Sequence, residues 1–382
     1  MSKKSLTLRL CAVSSAVFLL SAGAAQAASG TVYNLRGMAN DAELSSMTPL
    51  IIAGNPPDSP NARIDPNLST SPWAGVVSIN IRFSTNPVDS FICSGAMISG
   101  THVLTAAHCV DSNGAGSVID ITAPGADVRV VFNNQLTAAS ANTFTLATAT
   151  QVQMNPNYAG FGNCAAAVTD PNAFCVNDDL AILTLRPQDV PTWATPYALT
   201  TLNGSAPQTM VGYGTSGTGV DGGNVSPSFF KKRVGGNYSD VYDLDDEGNF
   251  TGAKEVWQSD FDGNGEDTHC SLFGVCSPIL ANNVETSLGG GDSGGPSFQQ
   301  LGNGAWAIVG NNTYGTRFFS TQVASTFGTG SGGMVVASYY DWITTATDGS
   351  AVIVAVPEPG TYGLMLAGLL GVAAAARRRK SA

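Results

Sequence analysis

The sequence predicts an all-β protein. Glycine (44) and proline (19) are frequent among its 382 residues, and its apolar runs are short and separated by turn residues. The first clear run has a period of two: Val77, Ile79, Ile81 and Phe83 interleave with Val76, Ser78, Asn80 and Arg82, as in a half-buried strand. The length suffices for one large or two ordinary domains. The formal charge is −11, but seven of the 17 basic residues lie in the two terminal segments, leaving 10 against 28 acidic residues between them, a balance of −18. Nucleic-acid binding needs a basic face, so this balance argues against it.

Residues 1–27 read as a secretory signal. Lys3, Lys4 and Arg9 give a positive start, 11–20 are mostly apolar, and Ala25-Gln26-Ala27 is a small-x-small cleavage site. Residues 28–50 show no periodicity and read as a pro-segment or a frayed terminus. Cys11 leaves with the signal. Six cysteines remain, and an even number in an exported chain favours disulfides. Proximity in sequence suggests Cys93–Cys109, Cys164–Cys175 and Cys270–Cys276. Each short loop so closed contributes roughly 2–4 kcal/mol.

Two further strands are expected at 91–98 and 102–106. The latter ends in Ala106-Ala107-His108-Cys109. A histidine where a strand opens into a loop suits proton transfer, because its pKa lies near working pH. His102 reads as packing or exposed surface, and His269, in an acidic loop, as solvated. Short strands with polar connections are expected over 111–150. Asn177-Asp178-Asp179 then leads into the apolar run Leu180-Ala181-Ile182-Leu183. A carboxylate entering a core edge needs a partner, and the His108 imidazole supplies one. Asp179 abuts the strand and takes that role; Asp178 reads as a solvated loop acid.

Residues 186–206 read as a connection between two lobes, and strand structure resumes at Met210. A long polar insertion is expected over 215–283. Within it Asp260, Asp262 and Asn264 put oxygens at alternate positions before Gly265, like the first half of a calcium loop. Ser271 falls where a bidentate glutamate is expected, so an acidic, disulfide-stapled surface loop is the favoured reading. A strand at 306–310 and a short closing helix within 334–345 complete this part.

The chemistry centres on Gly290-Gly291-Asp292-Ser293-Gly294-Gly295-Pro296. Glycine admits positive φ and close approach to the backbone. Such a turn can hold a serine hydroxyl outward while two amides point at one spot, as attack on a carbonyl requires.

The tail stands apart. Val356-Pro357-Glu358-Pro359-Gly360 precedes an uncharged run, 361–376, and then Arg377-Arg378-Arg379-Lys380. The run falls just short of the ~17–25 residues of a spanning helix, and its basic end would stay cytoplasmic.

With His108, Asp179 and Ser293 in that order, and with Thr105-Ala106-Ala107-His108-Cys109, Asp179-Leu180-Ala181-Ile182-Leu183 and Gly291-Asp292-Ser293-Gly294-Gly295-Pro296, residues 51–346 resemble a trypsin/chymotrypsin-type serine protease. The resemblance implies two antiparallel six-stranded β-barrels, one at about 51–190 and one at about 205–346, with the site between them. It implies a protein or peptide substrate and no cofactor. It gives Ser293 the role of nucleophile, His108 that of base and acid, Asp179 that of orienting acid, and the Gly291 and Ser293 amides that of oxyanion hole. The Cys93–Cys109 pair matches the family's disulfide beside the histidine. Ile51-Ile52-Ala53-Gly54 resembles the mature start, whose new amine pairs with Asp292. Motif spacing puts Ser287 at the base of the specificity pocket; with no acid there, a demand for Arg or Lys is not expected. Gly289 replaces a family cysteine, and Gly310-Asn311-Asn312 stands where Ser-Trp-Gly usually lines the substrate.

The tail, 356–382 after a linker at 347–355, resembles the PEP-CTERM sorting signal of Gram-negative bacteria. That implies export through the Sec machinery, transient inner-membrane anchoring, removal by an exosortase, and a cell-surface or extracellular destination. The expected function is therefore that of a secreted serine endopeptidase. The alternatives are a catalytically silent surface or matrix-binding protein on the same scaffold, and a serine esterase.

Overall fold

The computed structural model describes residues 51–354, apart from 136, 138, 172 and 264, together with the backbone of Thr31–Val32. The expected signal segment, most of the 28–50 stretch and the sorting tail lie outside the described residues. The described residues all belong to one contact unit, Ala27–Val356.

The architecture is all-β. The first half forms β1 (Val76–Arg82), β2 (Ser90–Met97), β3 (His102–Thr105), β4 (Asp127–Asn134), β5 (Thr143–Thr148), β6 (Gln151–Met154) and β7 (Ala181–Thr184). They make one curled sheet in the order β5-β4-β1-β2-β3-β7-β6, with every neighbouring pair antiparallel. The alternation in β1 divides its two faces. Val77, Ile79 and Ile81 bury with Met97, Val103, Val130 and Leu183 in the core of this half. Val76 joins Ala96, Leu104, Val211, Phe298 and Ile308, a cluster drawn from both halves of the chain. An apolar residue at an otherwise polar position is thus the sequence trace of the face that meets the second half. Each such side chain contributes roughly 1.5–3 kcal/mol on burial.

The second half supplies β8 (Ala198–Leu199), β9 (Gln208–Gly212), β10 (Lys232–Asn237), β11 (Val241–Leu244), β12 (Lys254–Asp260), β13 (Pro296–Gln300), β14 (Trp306–Asn311), β15 (Tyr314–Thr316) and β16 (Gly330–Met334). One sheet runs β8-β14-β13-β9-β10 and ends on Ile64–Asp65; the other contains β11-β12-β16-β15. Helix α1 (Thr268–Phe273) lies between β12 and β13, and α2 (Tyr340–Ala346) is the closing helix. Among the described residues no helix is long and apolar enough to cross a membrane.

Three boundaries differ from the sequence reading. Residues 215–283 are not a surface insertion, since they build β10, β11 and β12. The stretch around 51–65 pairs with the second half: Ile64 and Asp65 with Arg233 and Lys232, and Ala53 with Thr218. The linker is tied down through residue 354, because Leu199 donates to the Val352 carbonyl and Val354 donates to that of Leu199, each at 2.8 Å. Paired backbone of this kind satisfies groups that a free linker would leave to water.

Candidate active site

His108 sits in the single turn Ala107–Cys109 that closes β3. Its backbone N–H donates to Asp179 Oδ1 at 2.7 Å, and its ring Nδ1 lies 2.7 Å from Asp179 Oδ2. Asp179 is fully buried, whereas the His108 side chain keeps 24% of its surface. A carboxylate only accepts, so this pairing puts a proton on Nδ1 and leaves Nε2 as the basic nitrogen. Desolvation disfavours the charged ring. The charge and hydrogen bond of Asp179, with Asp111 adding, outweigh that, and the His108 pKa is raised above 6.5. Asp178, just before, has φ +61°, which turns the chain into β7.

Ser293 is 4% exposed. Its carbonyl accepts from Ser94 N at 2.8 Å and lies 3.9 Å from the sulfur of Cys109, the neighbour of His108. Gly294 explains this closeness. It has φ +78°, and a Cβ there would sit 2.2 Å from Thr105 Oγ1 and 2.5 Å from Ala106 N. The serine turn is therefore pressed onto the strand end that carries His108. Among the described residues, no acceptor in the chain takes the N–H of Gly291 or Ser293. Two free donors, two residues apart and one of them the serine's own, can hold a developing oxyanion.

Asp292 turns away from this pair into the second half. Its Oδ1 accepts from Gly214 N at 2.8 Å and its Oδ2 from Gly289 N at 2.9 Å, and the backbone nitrogen of Ile51 also donates to Oδ2. Gly212 and Gly214 make the room, since a Cβ on either would meet the Asp292 carboxylate. Burial raises Asp292 to about 7, against the Gly214 and Ile51 hydrogen bonds and the charge of Arg233. Ile51 is itself buried among Met210, Tyr242, Trp257 and Leu288. Ser287 is 1% exposed; its carbonyl accepts from Ile52 N at 3.1 Å, and its hydroxyl has no partner among the described residues.

Disulfides join Cys93–Cys109, Cys164–Cys175 and Cys270–Cys276. The calcium-loop residues are placed otherwise than in an exposed loop. Asp260 and Asp262 are buried, while Asn264 lies outside the described residues. Asp260 accepts from the backbone N–H of His269, and Asp262 from Thr268 N at 2.9 Å. His269 is fully buried rather than solvated, with Nδ1 3.1 Å from Asp240 Oδ2. Asp260 ends a paired strand, which directs it inward. Asp178 is likewise buried, not solvated.

Three neighbours of the site escaped the sequence reading. The Phe161 ring packs edge-on to His108 at 5.5 Å, just before the loop that Cys164–Cys175 closes. The Asn311 side chain donates to the Asp179 carbonyl at 3.1 Å. Arg233 is buried and donates to the Gly214 carbonyl at 3.1 Å, placing a cation near Asp292. Gly310 and Asn311 pair with Ser297 and Pro296 inside the sheet. Three residues on, Tyr314 opens β15 and is buried, with Gly315 opposite Ser331.

Residues 65–238 match the family model for Trypsin, and residues 355–380 match the PEP-CTERM protein-sorting motif. The first match contains His108 and Asp179 and stops short of Ser293, which the fold brings to the same strand end. No curated protein matches the chain.

Proposed function

From a chain that carries a trypsin-like domain and a PEP-CTERM sorting motif, we propose an exported serine endopeptidase. The observation that supports it most is the double hold of Asp179 on His108, beside a glycine-bounded serine with two free amides. Ser293 Oγ attacks the peptide carbonyl while His108 Nε2 takes its proton. The Gly291 and Ser293 amides receive the oxyanion, each contributing about 3–4 kcal/mol by the usual mutational loss. The tetrahedral intermediate collapses, His108 gives the proton to the leaving amine, and water then releases the acyl group by the same route. With Ser287 and no acid at the pocket base, the substrate is not selected by Arg or Lys. The catalytic domain spans 51–346. The N-terminal signal uses the Sec machinery, and the tail anchors the protein transiently in the inner membrane until an exosortase removes it.

The test is fluorophosphonate labelling and peptide hydrolysis by protein beginning at Ile51, with Ser293→Ala as control. Labelling and cleavage that both vanish in Ser293→Ala support the reading. No labelling of the unmutated protein would leave a silent binding scaffold, and ester turnover without protein cleavage would leave an esterase.

A further inference from the structure

We propose that Asp178, Asp246, Glu247 and Glu255, with Asn177, form a calcium site that ties the turn carrying Asp179 to the second half of the chain. One carboxylate oxygen from each acid lies within 4.8 Å of all the others. Ligands 2.3–2.6 Å from a calcium ion on opposite sides stand about 5 Å apart, so the four fit one coordination sphere. Asp178, Asp246 and Glu255 are buried, and Glu247 is exposed, which leaves a side open for entry.

The second observation is Asn177. It is 7% exposed, and its Nδ2 donates to the Leu244 carbonyl at 3.0 Å and to Glu255 Oε2 at 2.9 Å, so the amide lies against the cluster. Its Oδ1 has no hydrogen-bond partner among the described residues. A buried carbonyl oxygen without a donor is costly unless something positive meets it. The charges that act most strongly on Asp178 and Glu255 are those of further carboxylates. All the donors are oxygens, as a hard cation requires.

The elements tied are informative. Asp178 precedes Asp179 on the way into β7, Glu255 lies in β12, and Asp246 and Glu247 belong to the turn between β11 and β12. A cation here crosses from one half to the other one residue from the acid that orients His108.

The experiment uses full-length Ser293→Ala protein stripped with EDTA, so that its readout is independent of catalysis. Calcium chloride is titrated by calorimetry and by thermal melting. The expected result is one calcium per chain and a Tm rise of about 4 °C at a hundredfold excess over Kd. Glu247→Gln changes an exposed ligand; it should keep its melting temperature in EDTA and lose the calcium response. Asp262→Asn, at the His269 cluster, should keep the response. No calcium response in the parent, or one that survives Glu247→Gln, overturns the site.

Discussion

Asp179 holds His108 at two points: one oxygen takes the backbone N–H and the other faces ring Nδ1, both at 2.7 Å. Backbone and imidazole are thereby fixed to one buried group. Asp179→Asn offers only one acceptor and presents N–H to the ring or to the backbone, which favours the wrong tautomer. We expect kcat to fall by roughly 10⁴-fold with the fold retained.

The same pair sets the pH dependence. His108 is raised above 6.5 because Asp179 outweighs desolvation, and only the neutral ring can accept the Ser293 proton. Activity therefore rises with pH along a limb whose midpoint lies above 6.5. Substituting Asp179 by Asn removes the charge that raises this pKa, so the residual activity should show a limb at lower pH. A kcat/KM profile in which the limb stays put would separate the ionisation from His108.

Gly294 is where the serine turn meets the histidine strand. Gly294→Ala puts a Cβ into Thr105 Oγ1 and the Ala106 backbone and forces φ +78° on an alanine. The cost is roughly 1–3 kcal/mol, and relief requires the turn to back away from β3. The expected outcome is a lower Tm with a disproportionate loss of probe labelling. Labelling at the parental rate would show that the contact does not position Ser293.

Ile51 and Asp292 argue for a processing switch. In the uncut chain Ile51 offers Asp292 an amide hydrogen, and burial keeps the Asp292 pKa at about 7. Cleavage after Leu50 would replace the amide with an ammonium and favour the charged carboxylate. A buried pair of this kind is worth about 3 kcal/mol when broken, so protein beginning at Ile51 should exceed the uncut chain roughly a hundredfold in active-site titration. Asp292→Asn should erase the difference. Equal activity of cut and uncut protein would remove the switch.

The candidate site is legible in the sequence because its parts are local. His108, Asp179 and Ser293 each stand at a strand end or glycine turn within a few telling residues. β1 was legible because one of its faces meets an apolar core and alternation records that. β10 to β12 were not. Lys232 is buried and paired at 2.9 Å with Asp65, far away in sequence, and Arg233, Asp243 and Glu255 are buried as well. Their polar side chains erase the period-two signal. Gly235, also in β10, leaves no side chain to carry a pattern, because Thr286 occupies the space that its Cβ would fill. Asp178 and His269 depart from the sequence expectation for the same reason: ionisable residues usually lie at the surface, and these two are buried.

Those buried ionisable groups carry a stability signature. Around His269, burial raises Asp260 and Asp262 and lifts Glu285 to about 9, and the neighbouring carboxylates raise His269 although desolvation opposes them. Each of these groups binds its proton more tightly folded than unfolded. Their contribution is complete below the unfolded carboxylate values and is lost as pH rises through the folded ones. The Ser293→Ala protein in EDTA should therefore melt roughly 10 °C lower at pH 9 than at pH 5. Glu285→Gln removes the highest of the carboxylate values in this cluster, so its melting temperature should fall less steeply over the same range. A parent whose melting temperature is flat or rises across that range would show that these carboxylates are charged in the folded chain at no cost. That would require a positive charge beside them beyond that of His269.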